Sequence, residues 1–341
     1  MKSKALNFME LLEAFFTEYM PFSAGLSENT IRSYKYAFRL LIEFLFSKKN
    51  LSANEISFAR LDFDVINGFL LWIEEERNCS VTTRNLRLAA LSSFASYAQN
   101  RNIDAATVFM NAVKKVSVKP CAAKPRTLFS LEEVTVLLKL PNCGTAIGYR
   151  DNTLLNLMYA SGARAQEICD LTVRCIQFQV DVTKLTITGK GGKTRRINIA
   201  RPCGALLRQY LTRRGILNAY DRHIFSSQTH EHMTVSCVEE IFKKYIKLAK
   251  EQNPLLFREP RYSPHSMRHT TATHMLEAGI PLMAIKNFLG HASVTTTERY
   301  AELSQSTVNR HIKEWNERWF PMDNTAAAIS DTANVFPVFL R

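Results

Sequence analysis

The sequence predicts an α+β, mainly helical fold in two domains, on three observations. Apolar residues recur at helical spacing through the first hundred residues. The stretch 114–126 breaks that pattern with prolines and lysines. One run of alternating residues around glycines, LTITGKGGKTRRINI (185–199), interrupts an otherwise helical second half and predicts a small antiparallel sheet. The expected divisions are a helical domain over 1–113, a basic linker over 114–126, a second domain over 127–320 and a flexible tail over 321–341.

In chain order, Leu6, Met9, Leu12, Phe15, Phe16 and Tyr19 fall on one helical stripe, and Pro21 is expected to end it. Ser27 is placed to cap a long second helix with Tyr34, Phe38, Leu41 and Leu45 on its apolar side. The other side carries Arg32, Lys35 and Arg39. A third helix is expected over 62–76, and a fourth after Ser80, with Arg84 and Arg87 near its start and Leu91, Phe94 and Tyr97 inward. Basic ridges on two helices of a small bundle suit a binder of duplex phosphates, although any one of these arginines alone would read as solvated surface. NAVKKVSVKPCAAKPR (111–126) holds two prolines, five basic residues including Lys114 and Lys115, and no acid, so it is expected to be extended and to follow phosphates.

The second half opens on Ser130 and Glu133, spaced as a capping box, before a short helix. A buried helix around 154–159 should stop at Ser161–Gly162, leaving Arg164 just beyond the glycine and before a second short helix. The alternating run reads as a hairpin. Its GKGGKT lacks the Gly-x-x-x-x-Gly-Lys-Ser/Thr spacing and is followed by a strand pattern, so nucleotide binding is rejected. Nine Lys/Arg and no Asp/Glu between Val182 and Arg214, among them Lys193 and Arg195, mark this side as the one that meets DNA. Helices are expected around 203–214 and 236–251, the latter capped by Ser236 with Glu239. His265 and Arg268 share one face at a later helix start, where the helix dipole also favours an anion. Gly279 and Pro281 separate that helix from the next, and Gly290 permits a turn before His291.

Length and charge bound the function. The 341 residues carry 44 Lys+Arg against 31 Asp+Glu, a net charge of +13, which favours a polyanion partner and nucleic acid before membrane. Seven cysteines without a Cys-x-x-Cys pair fit reduced thiols in a bacterial-type cytoplasm. Arg39 and Glu43 break the AFRLLIEFLF run, and the first residues lack a signal-peptide pattern, so neither a membrane span nor an export signal is expected.

Two arginines, a lysine, two histidines and a tyrosine, in that order, suit attack on a phosphodiester. A tyrosine phenol titrates near ~10 and attacks nothing at neutral pH unless its proton is taken and its target is activated. The matches are Arg164 with Glu167 three residues on, Lys190 in the hairpin, His265-x-x-Arg268, Gly290-His291, and Tyr300 nine positions later. In these residues the chain resembles the tyrosine recombinase (phage-type integrase) family, over roughly residues 5–319.

That resemblance implies a helical core-binding (SAM-like) N-domain, a catalytic domain with a small antiparallel sheet, and a linker that lets both close on duplex DNA. It implies Tyr300 as the nucleophile, leaving a 3′-phosphotyrosine link. Arg164, Arg268 and His291 would hold the developing charge, and His265 would move protons. Lys190 would be the acid for the leaving oxygen, with Lys193 as its rival. Glu167 would support these groups, and neither metal nor cofactor is required. His265 and His269 lie at i and i+4, with His274 following, which opens a zinc reading; no Glu directly follows His265 and no Cys is near.

A last helix, about 306–319, with Val308, Ile312, Trp315 and Trp319 on one stripe, is expected to dock on a neighbouring copy in a homotetramer on DNA. A partner recombinase is compatible with that assembly, and association with the nucleoid follows from DNA binding. Integration, excision or transposition of a mobile element is the expected role. The alternatives are a chromosome-dimer-resolving recombinase, a type IB topoisomerase, and a non-catalytic DNA-binding protein.

Overall fold

Asn7 opens the first helix by accepting the Glu10 N–H on its side-chain oxygen at 2.9 Å, while the Glu10 carboxylate accepts the Asn7 N–H at 2.8 Å. The structure is a computed structural model, and it describes residues 7–121, 127–227 and 229–290. In sequence the chain divides into two compact units, Met1–Lys124 and Pro125–Arg341.

In the first unit, α1 (Phe8–Ala14) runs into π-helical turns over Phe15–Ser23. Pro21, expected to end the first helix, lies inside those turns. The run closes at Ala24, whose N–H donates to the Tyr19 carbonyl five residues back at 2.7 Å. The wider turn gives the pyrrolidine ring the room that an α-helical carbonyl four residues back would occupy. Four more helices follow, each begun by a side chain that accepts a backbone N–H of the first turn. They are α2 (Glu28–Lys49) from Ser27, α3 (Phe63–Glu75) from Asp62, α4 (Val81–Gln99) from Ser80 and α5 (Ile103–Lys115) from Asn102. Phe94 of α4 is fully buried, with ring centroids of Phe8, Phe15 and Phe38 at 5.4, 5.3 and 5.1 Å, all edge-on.

Helix α5 is an addition to the expected elements. Its lysines, Lys114 and Lys115, expected in the linker, instead form its last turn, where they face water and complement the helix dipole. The chain beyond α5 folds back on α4. Asn85 donates to the Lys119 carbonyl at 2.8 Å and accepts the Lys119 N–H at 3.2 Å, and the Lys119 ammonium meets Glu74 at 2.6 Å.

Arg84 and Arg87, expected on an exposed basic ridge, are interior residues, 3% and 9% exposed. Arg84 donates to the Ser117 carbonyl at 2.8 Å and lies 3.9 Å from Glu74; Arg87 donates to the Ser33 carbonyl at 3.0 Å and stacks over Tyr36. Their guanidiniums tie α4 to α2, α3 and the segment after α5, so they pack the bundle rather than forming an exposed ridge. Arg32, Lys35 and Arg39 of α2 remain exposed.

The second unit packs α6 (Leu131–Lys139), α7 (Ala146–Ser161), α8 (Ala165–Cys169), α9 (Arg201–Arg213), α10 (Val235–Gln252), α11 (Pro264–Glu277) and α12 (Leu282–Leu289) with a small sheet. The Ser130–Glu133 capping box opens α6 as expected. Thr234, not Ser236, caps α10, because the chain is already helical at Val235. The sheet is antiparallel in the order β1 (Ile176–Phe178), β2 (Thr183–Thr188), β3 (Thr194–Ile199), and only the three-residue β1 goes beyond the expected hairpin. α7 is buried through Leu154, Leu155, Leu157 and Met158, against Leu207, Tyr210 and Leu211 of α9 and the inner face of the sheet. Among the described residues no helix is long and apolar enough to cross a membrane.

The interior position of Arg84 has a measurable consequence. Arg84→Ala is expected to lower the unfolding free energy by about 1–3 kcal/mol in urea titrations. The slope of log Kobs against log salt for duplex DNA should stay unchanged, whereas loss of a phosphate contact would lower it by about 1.

Candidate active site

Gly162 ends α7 in the left-handed conformation, φ 55°, and a Cβ there would fall 2.6 Å from Leu289 Cδ2. This sharp stop puts Arg164 at the start of α8. The Arg164 N–H donates to Glu167 Oε2 at 2.9 Å, and its guanidinium Nη1 donates to Glu167 Oε1 at 2.7 Å. Glu167 therefore caps its own helix and holds the arginine at the same time.

Two more guanidiniums reach the same carboxylate. Arg195 of β3 donates through Nη1 and Nη2 to the two Glu167 oxygens at 3.1 and 2.8 Å, and through Nε to the Phe288 carbonyl at 2.9 Å. Arg268, in the second turn of α11, lies 3.7 Å from Glu167 Oε2. It donates to the Gly162 carbonyl at 2.7 Å and the Leu289 carbonyl at 2.6 Å, the C-terminal ends of α7 and α12.

One carboxylate thus sits among three cations, a local excess of positive charge suited to a phosphate. Burial alone would push the Glu167 carboxyl up. Hydrogen bonds from Arg195 and the Arg164 N–H, the charge of Arg195 and a hydrogen bond from the Arg164 guanidinium instead hold it at about 2. Side-chain exposures of 36% for Arg164, 10% for Arg195 and 4% for Arg268 make Arg164 the arm that opens to solvent.

The structure corrects the expectation that Arg195 belongs to the DNA surface: it lies inward on the face of β3 that buries Ile197 and Ile199. The period of two in TRRINI carries that signal, since residue 195 shares a face with 197 and 199 while Arg196 does not. Lys193 is exposed, and its carbonyl accepts the Gly189 N–H at 2.8 Å across the hairpin tip.

The remaining candidates are placed unevenly. The backbone of Lys190 lies at that tip in a short 3-10 turn, between Gly189 and the left-handed Gly191 and Gly192. A Cβ at Gly189 would stand 3.0 Å from Glu167 Oε1, so the tip abuts the ion cluster. His265 is exposed in the first turn of α11, three residues before Arg268, with its ring 6.5 Å from that of His269. Gly290 closes α12 in the left-handed conformation against Arg195. His291, Tyr300, the expected 306–319 helix and the tail lie outside the described residues.

His274 is a packing residue: one ring nitrogen pairs with the Tyr159 hydroxyl at 2.9 Å and the other with the Phe129 carbonyl at 3.1 Å. Burial lowers its pKa. Among the described residues no group of three or more His, Cys, Asp or Glu stands close enough to hold a metal.

Comparison with known proteins places this arrangement. The profile of the phage integrase family matches residues 128–307, and that of the phage integrase N-terminal SAM-like domain matches residues 11–105. The chain belongs to the phage integrase family of tyrosine recombinases. A putative integrase/recombinase, y4rC, of Sinorhizobium fredii is 31% identical over 308 residues, spanning 88% of this chain and 89% of the relative. The tyrosine recombinase XerD of Haemophilus influenzae is 28% identical over 318 residues, 92% of this chain and 98% of its own.

In fold, the recombinase resembles XerH bound to a palindromic difH substrate, with a TM-score of 0.66 at 20% identity over 84% of this chain and 80% of that one. It also resembles the Tn1549 transposon integrase in complex with a circular intermediate DNA, with a TM-score of 0.68 at 16% identity over 88% and 98%. The expected α+β, mainly helical fold with its SAM-like N-terminal domain is the fold of this recombinase.

The ion cluster makes stability depend on acid. Because the folded state depresses the Glu167 pKa from 4.5 to about 2, its contribution is fully present above about 4.5 and lost as pH falls toward 2. The stabilisation at neutral pH is on the order of 3 kcal/mol. Urea unfolding of the wild type and of Glu167→Gln should therefore differ by that amount at pH 7, and the difference should shrink as the pH is lowered below 4.5.

Proposed function

We propose that this recombinase cleaves and rejoins duplex DNA through a covalent 3′-phosphotyrosine. The observation that supports it is the convergence of Arg164 and Arg268 on one ionised, buried carboxylate, beside the hairpin tip that carries Lys190. A guanidinium held on one side by Glu167 keeps donors for the two non-bridging oxygens of a phosphate, and it does not reorganise as charge builds there.

The Tyr300 oxygen attacks phosphorus, and the P–O bond to the tyrosine forms as the bond to the 5′ oxygen breaks. His265 accepts the phenol proton. The Lys190 ammonium gives a proton to the departing 5′ oxygen. Arg164, Arg268 and His291 carry the charge on the non-bridging oxygens. Rejoining is the same step reversed, with the 5′ hydroxyl of a partner strand as nucleophile. The bond energy is retained in the phosphotyrosine, so the cycle needs no nucleotide hydrolysis.

On the DNA, Arg32, Lys35 and Arg39, with Lys114, Lys115 and Lys193, are the exposed cations assigned to phosphates. A homotetramer in which the 306–319 helix docks on the neighbouring copy, alone or with a partner recombinase, would bring two duplexes together, and DNA binding would place the protein at the nucleoid. Recombination is the function its relatives share by name. Movement of a mobile element is the role we assign, with chromosome-dimer resolution as its alternative. Relaxation of plasmid lacking a recombination site, with no recombinant product, would instead mark a topoisomerase.

Covalent trapping on nicked duplex tests the reaction. Wild-type protein should give a protein–DNA adduct and Tyr300→Phe none, whereas an adduct with Tyr300→Phe would overturn the nucleophile. Arg164→Ala should slow adduct formation in the pre-bound complex by on the order of 10²–10³, read by single-turnover kinetics.

A further inference from the structure

Resting on the reaction proposed above, we infer that Arg195 is a positioning residue for strand cleavage, holding the hairpin tip and the end of α12 in register with the arginines that grip the phosphate. Arg195 stands opposite Ile187 in the β2–β3 ladder, on the inward face with Ile197 and Ile199. A cation on such a face is tolerated only when paired, and all three of its guanidinium nitrogens donate: two to the oxygens of Glu167 and one to the Phe288 carbonyl. The fork is planar, so these bonds fix an angle between α8 and α12, which a lysine ammonium cannot do.

Two glycines show how closely the backbone is fitted around this pair. A Cβ at Gly290, φ 68°, would fall 2.9 Å from Arg195 Cδ and 3.0 Å from its Nη1. A Cβ at Gly189 would fall 3.0 Å from Glu167 Oε1 and 3.8 Å from Arg195 Nη1. Each glycine directly precedes a residue that takes part in the reaction, Gly189 before Lys190 and Gly290 before His291. Arg195 itself commits all three guanidinium nitrogens inside the protein. Its effect is to set where the hairpin tip stands when the 5′ oxygen leaves.

The test uses full-length protein, pre-bound to oligonucleotide duplexes whose scissile phosphate carries either the ordinary bridging 5′ oxygen or sulfur in its place. A thiolate leaves without a proton, so the sulfur substrate does not need the acid at the hairpin tip. Arg195→Lys and Arg195→Gln are compared with the wild type, and Arg195→Lys, which keeps the charge of the cluster, should bind DNA with unchanged affinity and salt dependence. Both variants should cleave the oxygen substrate on the order of 10²-fold more slowly, and recover most of that loss on sulfur. Arg195→Lys keeps a cation beside Glu167 and carries the test if the glutamine variant unfolds.

Wild-type cleavage of the oxygen substrate by Arg195→Lys would overturn the assignment. So would a fall of about 1 in the salt slope with unchanged cleavage, which is the signature of a phosphate contact. Equal slowing on both substrates would overturn it as well. Absence of any Tyr300-dependent adduct from the wild type would overturn the reaction itself; an adduct with no sulfur rescue overturns only the role of Arg195.

Discussion

A single carboxylate, Glu167, buried among three guanidiniums, is the contact on which the second unit depends. Without it, Arg195 and Arg268 would be buried like charges, with the half-open Arg164 beside them, and burial of unpaired charge is costly. With it, each arginine has a fixed direction. The elements that supply them are tied at one point: the end of α7, the start of α8, strand β3, helix α11 and the last turn of α12. The glycines at 162, 189 and 290 follow from that crowding, since a side chain at any of them would meet Leu289, Glu167 or Arg195.

The same arrangement accounts for the chemistry. Pairing one negative charge with three positive ones leaves the cluster with net positive charge, which suits a phosphate. Because the guanidiniums are oriented before any ligand arrives, little of the binding energy goes into ordering them, which is how preorganised electrostatics lowers a barrier. Arg268 shows this most clearly. It is buried and committed to two helix-terminal carbonyls, so it locks α7 and α12 while lending its charge to the site. Arg164 is the more open arm.

Much of this is legible in the one-dimensional pattern. Helix starts at Ser27, Asp62, Ser80 and Ser130 can be read because a capping side chain acts within three residues of itself. The hairpin is legible from its period of two, and the order of Arg164, Glu167, Lys190, His265 and Arg268 points to the family. What escapes is decided by contacts distant in sequence. Arg84 and Arg87 share one helical stripe with Leu88, Leu91 and Phe94 and look like surface residues only by residue type; the return of the chain at Ser117 and the approach of α2 at Ser33 supply the carbonyls that pair them in the interior. Arg195 resembles the other basic residues of its stretch until Glu167, 28 residues earlier, is brought against it. Pro21 escapes for a local reason: the rule that proline ends a helix assumes an α-helical turn, and here the turn is wider.

The claim that one ionised carboxylate organises the site is tested most directly by a double-mutant cycle on strand cleavage, using Glu167→Gln, Arg195→Gln and the pair. If Arg195 acts through Glu167, each single variant slows cleavage in the bound complex and the double variant is no slower than the worse single one. Losses that add in free energy would show two independent residues and contradict the account.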